Sequence, residues 1–167
     1  MPPAGYVKDA DGFWANGGER LSVDMEVMSW LPHVMPVAEK QLRDAGFDVR
    51  SILHNPPDDQ GLTKIRSGMS DLWIISHCGS SREPHGTLQN YHSKNRAPKQ
   101  GKMNLYVWGN SQYDNPEYDA IIDKMDLVLP SPTDPEYMQL ADQALEIFLR
   151  DVILIVLVEE LQITTHN

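Results

Sequence analysis

The sequence predicts an α/β fold in which a mixed, mostly parallel sheet is flanked by helices. Runs of strand-type patterning alternate with segments of helical periodicity, and the strand-type runs are strongly apolar, as buried strands are. Capping residues and prolines mark where the helices begin. At 167 residues the chain is long enough for one domain with a substantial core, and we expect a single domain over residues 1–167.

The first elements are a hairpin and a strand. The Asp-Gly pair at residues 11–12 lies between two short strand-like pieces, which is a hairpin signal. Residues 21–29 then alternate apolar and polar side chains, with Leu21, Val23, Met25 and Val27 on one face. This alternation predicts a half-buried strand.

A helix and a second strand follow. Pro36 suits the first turn of a helix, because a missing N–H costs nothing there, and Gly46 is a typical C-terminal stop. We expect the helix to run through Ala45, with its inward face formed by Val37, Leu42 and Ala45. Residues 47–53 predict the next strand.

The stretch at residues 62–88 predicts a short helix, a buried strand and a polar loop. Residues 71–76 form a compact apolar run of strand length. The strand cannot continue past them, because Gly79, Pro84 and Gly86 interrupt the pattern. A rigid strand that delivers a loop of His, Cys, Ser, Arg and Glu side chains is a common way to present a binding surface.

The last third predicts two helices and a final strand. Asn115 and Asp134 are N-cap candidates, and each is followed by a proline at the first helical position. The apolar run at residues 153–158 predicts a buried strand, and it is too short to span a bilayer.

Composition excludes some classes of function. The chain carries 14 basic and 24 acidic residues, a formal net charge of -10, which disfavours binding to nucleic acid or to anionic membrane surfaces. Cys78 is the single cysteine, so an internal disulfide is impossible. The start lacks the basic and apolar regions of a secretory signal. Because the chain opens on a loop and ends soon after an apolar segment, we expect a piece of a longer protein.

Five motifs resemble, in order, the extracellular solute-binding proteins of family 5, which serve ABC-type importers for peptides, nickel and oligosaccharides. They are GYVKDADGFW at 5–14, AEKQLRDAGFDV at 38–49, IRSGMSDL at 65–72, NPEYDAIID at 115–123 and ADQALEI at 141–147. Each motif is weak alone, but their order across nearly the whole chain is fairly specific. The resemblance implies a periplasmic-binding-protein-like fold and the C-terminal lobe of a two-lobe protein, whose N-terminal lobe is missing here.

The resemblance also implies a function. Such proteins are not enzymes, need no cofactor, and close two lobes on a solute by hinge motion before delivering it to a membrane permease. We therefore expect capture of an oligopeptide or oligosaccharide by a periplasmic or extracellular protein, with ABC permease subunits as partners and no role in nucleic-acid binding. A membrane anchor in a region outside this sequence stays open.

The resemblance points to the segment after residues 71–76 as a lining of the solute cleft. Peptide-binding members tend to carry an aromatic-Cys-x-Asp pattern there, whose carboxylate holds the peptide amino group. This chain has His77, Cys78, Gly79 and Ser80 instead. Because a neutral hydroxyl cannot supply a charge-assisted bond to an ammonium group, the pattern fits an oligosaccharide or a loosely held peptide at least as well.

Tryptophans supply the remaining candidates. Trp30, just past a strand end, and Trp108, beside a glycine, are the better candidates for stacking on a solute. We expect Trp73 to lie in the core and Trp14 to pack the hairpin.

Two other interpretations of the polar loop remain open. Imidazole and thiolate groups are good ligands for zinc or nickel, although the spacing fits no standard zinc pattern; the side chains concerned are His77, Cys78, His85 and His92. Cys78 with His85 or His92 as base also has the residue types of a Cys–His hydrolase, but no known signature surrounds the cysteine.

Overall fold

The structure is a computed structural model that describes residues 5–54, 63–65, 67–76, 83–96, 112–128 and 131–157. The chain divides into two compact units. The first comprises residues 1–78 and 95–112, and the second comprises residues 79–94 and 113–167.

A small antiparallel sheet opens the first unit. Its strands are β1 (Val7–Lys8), β2 (Trp14–Asn16) and β3 (Glu19–Arg20), in that order. The predicted turn is present, because Asp9 Oδ1 accepts hydrogen bonds from the backbone N–H groups of Asp11 at 2.9 Å and Phe13 at 3.0 Å. Gly12 has the positive φ of 89° that this turn requires.

A parallel sheet forms the centre of the first unit. Its strands are β4 (Ser22–Met28), β5 (Asp48–His54) and β6 (Leu72–Ile74), with β4 in the middle. Helix α1 (Met35–Ala45) connects β4 to β5 and completes a βαβ unit. The predicted α/β class, with a mostly parallel sheet and flanking helices, is confirmed.

Helix α1 ends against the hairpin. Gly46 takes the left-handed conformation at φ 102°, as predicted for a helix stop. The Trp14 indole packs directly on Gly46 and donates from Nε1 to the Ala45 carbonyl oxygen at 2.9 Å. A Cβ on Gly46 would lie 3.0 Å from this indole and from the Gly12 carbonyl oxygen, so the close approach also requires glycine. Trp14 therefore fastens the hairpin to the helix.

The apolar core of the first unit lies between α1 and one face of the parallel sheet. The sheet contributes Met25, Val27 and Val49, and the helix region contributes Val34 and Ala38. The inward face of α1 differs from the prediction: Leu42 packs against this core, but Val37 and Ala45 are exposed. The helix begins one residue before Pro36, and the row of residues spaced by four from Val34 is the one that meets the sheet.

The second unit consists of helices in its described residues. The α-helices are α2 (His85–Leu88), α3 (Pro116–Met125) and α4 (Pro135–Arg150). Two 3-10 turns follow α2, one at Gln89–Tyr91 and one that begins at Ser93 and runs to Asn95. Both predicted caps are present: Asn115 Oδ1 accepts from Glu117 N at 2.9 Å, and Asp134 Oδ1 accepts from Glu136 N at 2.8 Å. The core between these helices includes Tyr91, Tyr118, Ile122, Met125, Tyr137, Ala144, Ile147 and Phe148.

The predicted last strand is wrong over the residues that the structure describes. Residues 153–157 have no regular structure, and Ile155 and Val156 are 66% and 79% exposed. An apolar run becomes a strand only where a neighbouring strand satisfies its backbone groups. The described residues of the second unit contain no other strand with which it could pair.

Across the described ranges, none of the helices is both long enough and apolar enough to cross a membrane.

Candidate functional site

The candidate site lies where the three parallel strands end. β5 and β6 both run parallel to β4, so Met28, His54 and Ile74 come to the same side of the sheet. We call this side the carboxyl edge. In open α/β sheets, ligands bind beyond the carboxyl ends of the strands, because the loops that leave them meet there.

Trp30 presents an indole at the carboxyl edge. It lies two residues past the end of β4, and 49% of its surface is exposed. Its Nε1 donates a hydrogen bond of 2.9 Å to Oγ of Ser76, which lies two residues past the end of β6. The bond joins two strand ends and fixes the orientation of a half-exposed aromatic ring.

The other predicted solute contacts lie outside the described residues. They are His77, Cys78, Gly79, Ser80 and Trp108. Ser76 directly precedes the first of them in the chain, so the fixed indole of Trp30 is held by the residue from which the predicted contact segment departs. Their roles, like that of Trp30, stay predictions.

A buried charge network lies beneath the carboxyl edge. The Glu26 side chain is 0% exposed, on the face of β4 opposite α1. One carboxylate oxygen contacts Nε2 of His54, which is 8% exposed, and the other accepts from Nζ of Lys64 at 2.7 Å. Lys64 belongs to the short helical segment at residues 63–65. A buried carboxylate requires such partners, because an unpaired one would lose its hydration without compensation.

Sequence reasoning missed this network. Alternation assigns Asp24, Glu26 and Met28 to one face of β4, and a face that carries two acids is normally solvated. The available signal was Met28, an apolar residue at the end of the same face, which indicates that the face becomes covered toward its carboxyl end. His54, opposite Met28 in the register, was the second signal.

Asp24 shows the solvated alternative on the same strand. Its carboxylate pairs with the guanidinium of Arg50, and Arg50 Nε lies 2.8 Å from Asp24 Oδ1. The hydrogen bond from Arg50 holds the pKa of Asp24 below its ordinary value, and the positive charge of Arg50 adds to the effect.

His85 and His92 face separate aspartates within the second unit. His85 Nε2 lies 2.8 Å from Asp126 Oδ1, an ion-pair distance without hydrogen-bond geometry. His92 Nε2 lies 3.1 Å from Asp123 Oδ1, and its Nδ1 accepts from the N–H of Lys94 at 3.0 Å. In the described portion of the chain, no three His, Cys, Asp or Glu side chains gather as a metal ion requires. The metal and hydrolase interpretations therefore gain no support from these contacts.

The Glu83-Pro84 pair closes the start of α2. The Glu83 carboxylate accepts from the Tyr137 hydroxyl and, at 3.2 Å, from the backbone N–H of Gly86. Burial raises the pKa of Tyr137 to about 12, and the hydrogen bond to Glu83 contributes. Glu83 is thus anchored on α4 within the second unit.

Comparison with known proteins bears on the fold. No protein-family model and no curated protein matches the sequence. Solved structures do match. NikZ from Campylobacter jejuni, in complex with Ni(L-His), gives a TM-score of 0.67 at 17% identity, over 87% of this chain and 27% of that chain. The oligopeptide-binding protein AppA from Bacillus subtilis, in complex with a nonapeptide, gives 0.62 at 18% identity, over 90% and 28%.

A third match has the same character. The murein tripeptide binding protein MppA from Escherichia coli gives a TM-score of 0.61 at 18% identity, over 83% of this chain and 25% of that chain. The chain thus spans about a quarter of the length of these proteins. The resemblance indicated by the five motifs is confirmed at the level of the fold. The chain has the fold of part of the family 5 solute-binding proteins of ABC transporters.

Proposed function

We propose that this chain forms the C-terminal lobe of the solute-binding component of an ABC-type importer, and that Trp30 contacts the solute. The component captures an oligopeptide or oligosaccharide outside the cytoplasmic membrane. Its two lobes close on the solute by hinge motion, and the component then delivers the solute to the permease. The observation that carries this proposal is the half-exposed Trp30 indole, held by Ser76 at the carboxyl edge.

The chemistry of an indole suits this role. Its apolar face packs on a sugar ring or on a peptide side chain, and its size gives a large contact area. The one polar hydrogen of the Trp30 indole is donated to Ser76. The ring can therefore contact a solute through its apolar face, but not through a hydrogen bond. Because the ring is already oriented, binding loses less side-chain entropy than it would with a freely rotating aromatic.

Ser80 bears on the solute class. Peptide-binding members of the resembling family tend to hold the peptide ammonium group with an acid, and this chain has a hydroxyl at that position. A hydroxyl matches the hydrogen-bonding groups of a sugar or the backbone of a longer peptide. The similar structures hold Ni(L-His) and a nonapeptide, so the fold accommodates chemically different ligands.

A thermal-shift screen of the complete gene product tests the proposal. Oligosaccharides, di- to hexapeptides and nickel–histidine are added separately, since any ligand that binds only the folded state raises the unfolding midpoint. We expect an oligosaccharide or a peptide to raise it, and Trp30→Ala to abolish most of the shift. Val37→Ala, an exposed change on the outer face of α1, is the matched control and keeps the full shift.

Two results would contradict this function. One is an unchanged midpoint with all three classes of ligand. The other is a shift of equal size in wild type and Trp30→Ala, which would remove the carboxyl edge from the binding site.

A further inference from the structure

We propose that Glu26 is a positioning residue for the carboxyl edge, and that it sets the orientation of the Trp30 indole. This inference rests on the proposed function for its biological purpose. Its structural content, a coupling between a buried carboxylate and an exposed ring, does not need a solute to be tested.

Glu26 joins two segments that are separate in the sequence. His54 is the last residue of β5, and Lys64 lies in the helical segment at residues 63–65 that precedes β6. The carboxylate contacts both, with Lys64 Nζ at 2.7 Å from Oε1 and His54 Nε2 at the other oxygen. One side chain on the central strand therefore joins the end of β5 to the helical segment that precedes β6.

The register of the sheet places Glu26 close to the strand ends that hold Trp30. Glu26 lies opposite Trp73 on β6, and Val27 lies opposite Ile74. Ser76 follows Ile74 by two residues, and its Oγ accepts from Trp30 Nε1 at 2.9 Å. Trp30 itself follows β4 by two residues, so the network and the bond that holds the indole share the central strand β4, and Glu26 lies on it directly beside β6.

The energetics of the network point the same way. Apolar side chains in place of all three charged groups would fill the interior, and replacing a whole buried ion pair in this way is often neutral or stabilising. A buried carboxylate differs from an apolar side chain because its hydrogen bonds are directional. It accepts from particular donors at particular angles, and so it favours one arrangement of the groups around it. Compared with apolar groups, the network therefore supplies geometry at the carboxyl edge rather than additional stability.

The test uses the indole signals in a two-dimensional nitrogen–proton NMR spectrum of the protein. The chain has 4 tryptophans, and Trp30→Phe identifies the Trp30 signal by its disappearance. We expect Glu26→Gln to move or broaden this signal, because the neutral amide no longer holds Lys64 and His54 as the carboxylate does. Asp24→Asn, on the same face of β4 but paired with the exposed Arg50, leaves the signal in place.

The same variants are measured for binding of the oligosaccharide or peptide that raises the wild-type midpoint. Glu26→Gln is expected to weaken binding about tenfold, and Asp24→Asn less than twofold. A merely structural role would lower the unfolding midpoint of Glu26→Gln and leave the Trp30 signal unmoved, and that result overturns the proposal. If wild type binds none of the solutes, the proposed function fails while the NMR comparison still decides the role of Glu26.

A second variant covers the case in which Glu26→Gln does not fold. The Lys64 side chain is 35% exposed, so Lys64→Met removes one partner without placing a new polar group in the interior. We expect Lys64→Met to move the Trp30 signal in the same direction by a smaller amount. An unmoved signal in this variant counts against the proposal.

Discussion

Each end of the parallel sheet has an acidic residue and a tryptophan, but their environments differ between the two ends. At the amino end, Asp24 pairs with an exposed arginine, and Trp14 is fastened to a backbone carbonyl beneath Gly46. At the carboxyl end, Glu26 is buried and contacts His54 and Lys64. Trp30 is half exposed there and donates a hydrogen bond to the Ser76 hydroxyl. Burying a charge and exposing a ring both cost stability. This difference supports the proposal that the carboxyl end serves binding, whereas the contacts at the amino end serve stability.

The largest contrast is expected between the two acids of β4. Glu26→Ala leaves His54 and Lys64 without their buried partner and should reduce the free energy of unfolding by about 3–5 kcal/mol. Asp24→Ala removes an exposed pair and should change it little. Urea denaturation of both variants measures the difference, and equal losses would show that Glu26 is not enclosed as described.

The next contrast concerns two glycines of positive φ. Gly46→Ala forces a side chain into the left-handed region and places Cβ 3.0 Å from Gly12 O and from the Trp14 indole, so we expect a loss of about 2 kcal/mol. Gly17→Ala shares the positive φ, but nothing lies within 4 Å of its Cβ, and the loss should be clearly smaller. Thermal unfolding compares the two, and the reverse order would contradict the packing of Trp14.

The two tryptophans should respond differently to phenylalanine. Trp14→Phe removes the bond to the Ala45 carbonyl oxygen and should cost about 1 kcal/mol. Trp30→Phe also removes a bond, to Ser76, but this half-exposed ring lacks the close packing that Trp14 makes on Gly46, so the loss should be smaller, about 0.5 kcal/mol, while solute binding weakens. A stability loss at Trp30 as large as that at Trp14 would assign Trp30 to the core.

The smallest effect is a dependence on pH at the amino end. The pKa of Asp24 is depressed in the folded protein, so its pair with Arg50 contributes stability above the ordinary value of 3.8. This contribution is lost as the pH falls from there through the depressed folded pKa. Asp24→Asn should therefore flatten the acid side of the stability curve slightly, as measured by urea midpoints between about pH 5 and pH 2.

Local chemistry made much of the fold predictable. The caps at Asn115 and Asp134, and the stop at Gly46, depend on side chains and φ angles that are local to each helix end. Strands β4 and β5 were found where alternation and apolar runs indicated them. The order of the five motifs predicted the fold that the chain shares with part of the solute-binding proteins.

What failed depends on partners that lie far away in the sequence. Periodicity places Glu26 on a polar face, but its buried contacts are His54 and Lys64, which lie 28 and 38 residues later in the chain. Residues 153–157 have strand-type composition, yet composition does not supply a neighbouring strand. Trp30, by contrast, could be predicted from the sequence as a candidate for solute contact, because its position just past the end of a strand is visible in the sequence. The structure has it at the carboxyl edge.

An NMR titration of the complete gene product, with the solute that raises its midpoint, tests whether the carboxyl edge binds the solute. We expect the indole signal of Trp30 to shift in proportion to the bound fraction, while that of Trp14, fastened at the amino end, stays in place. A solute that saturates the protein and leaves the Trp30 signal where it was would contradict the assignment of the carboxyl edge as the binding surface.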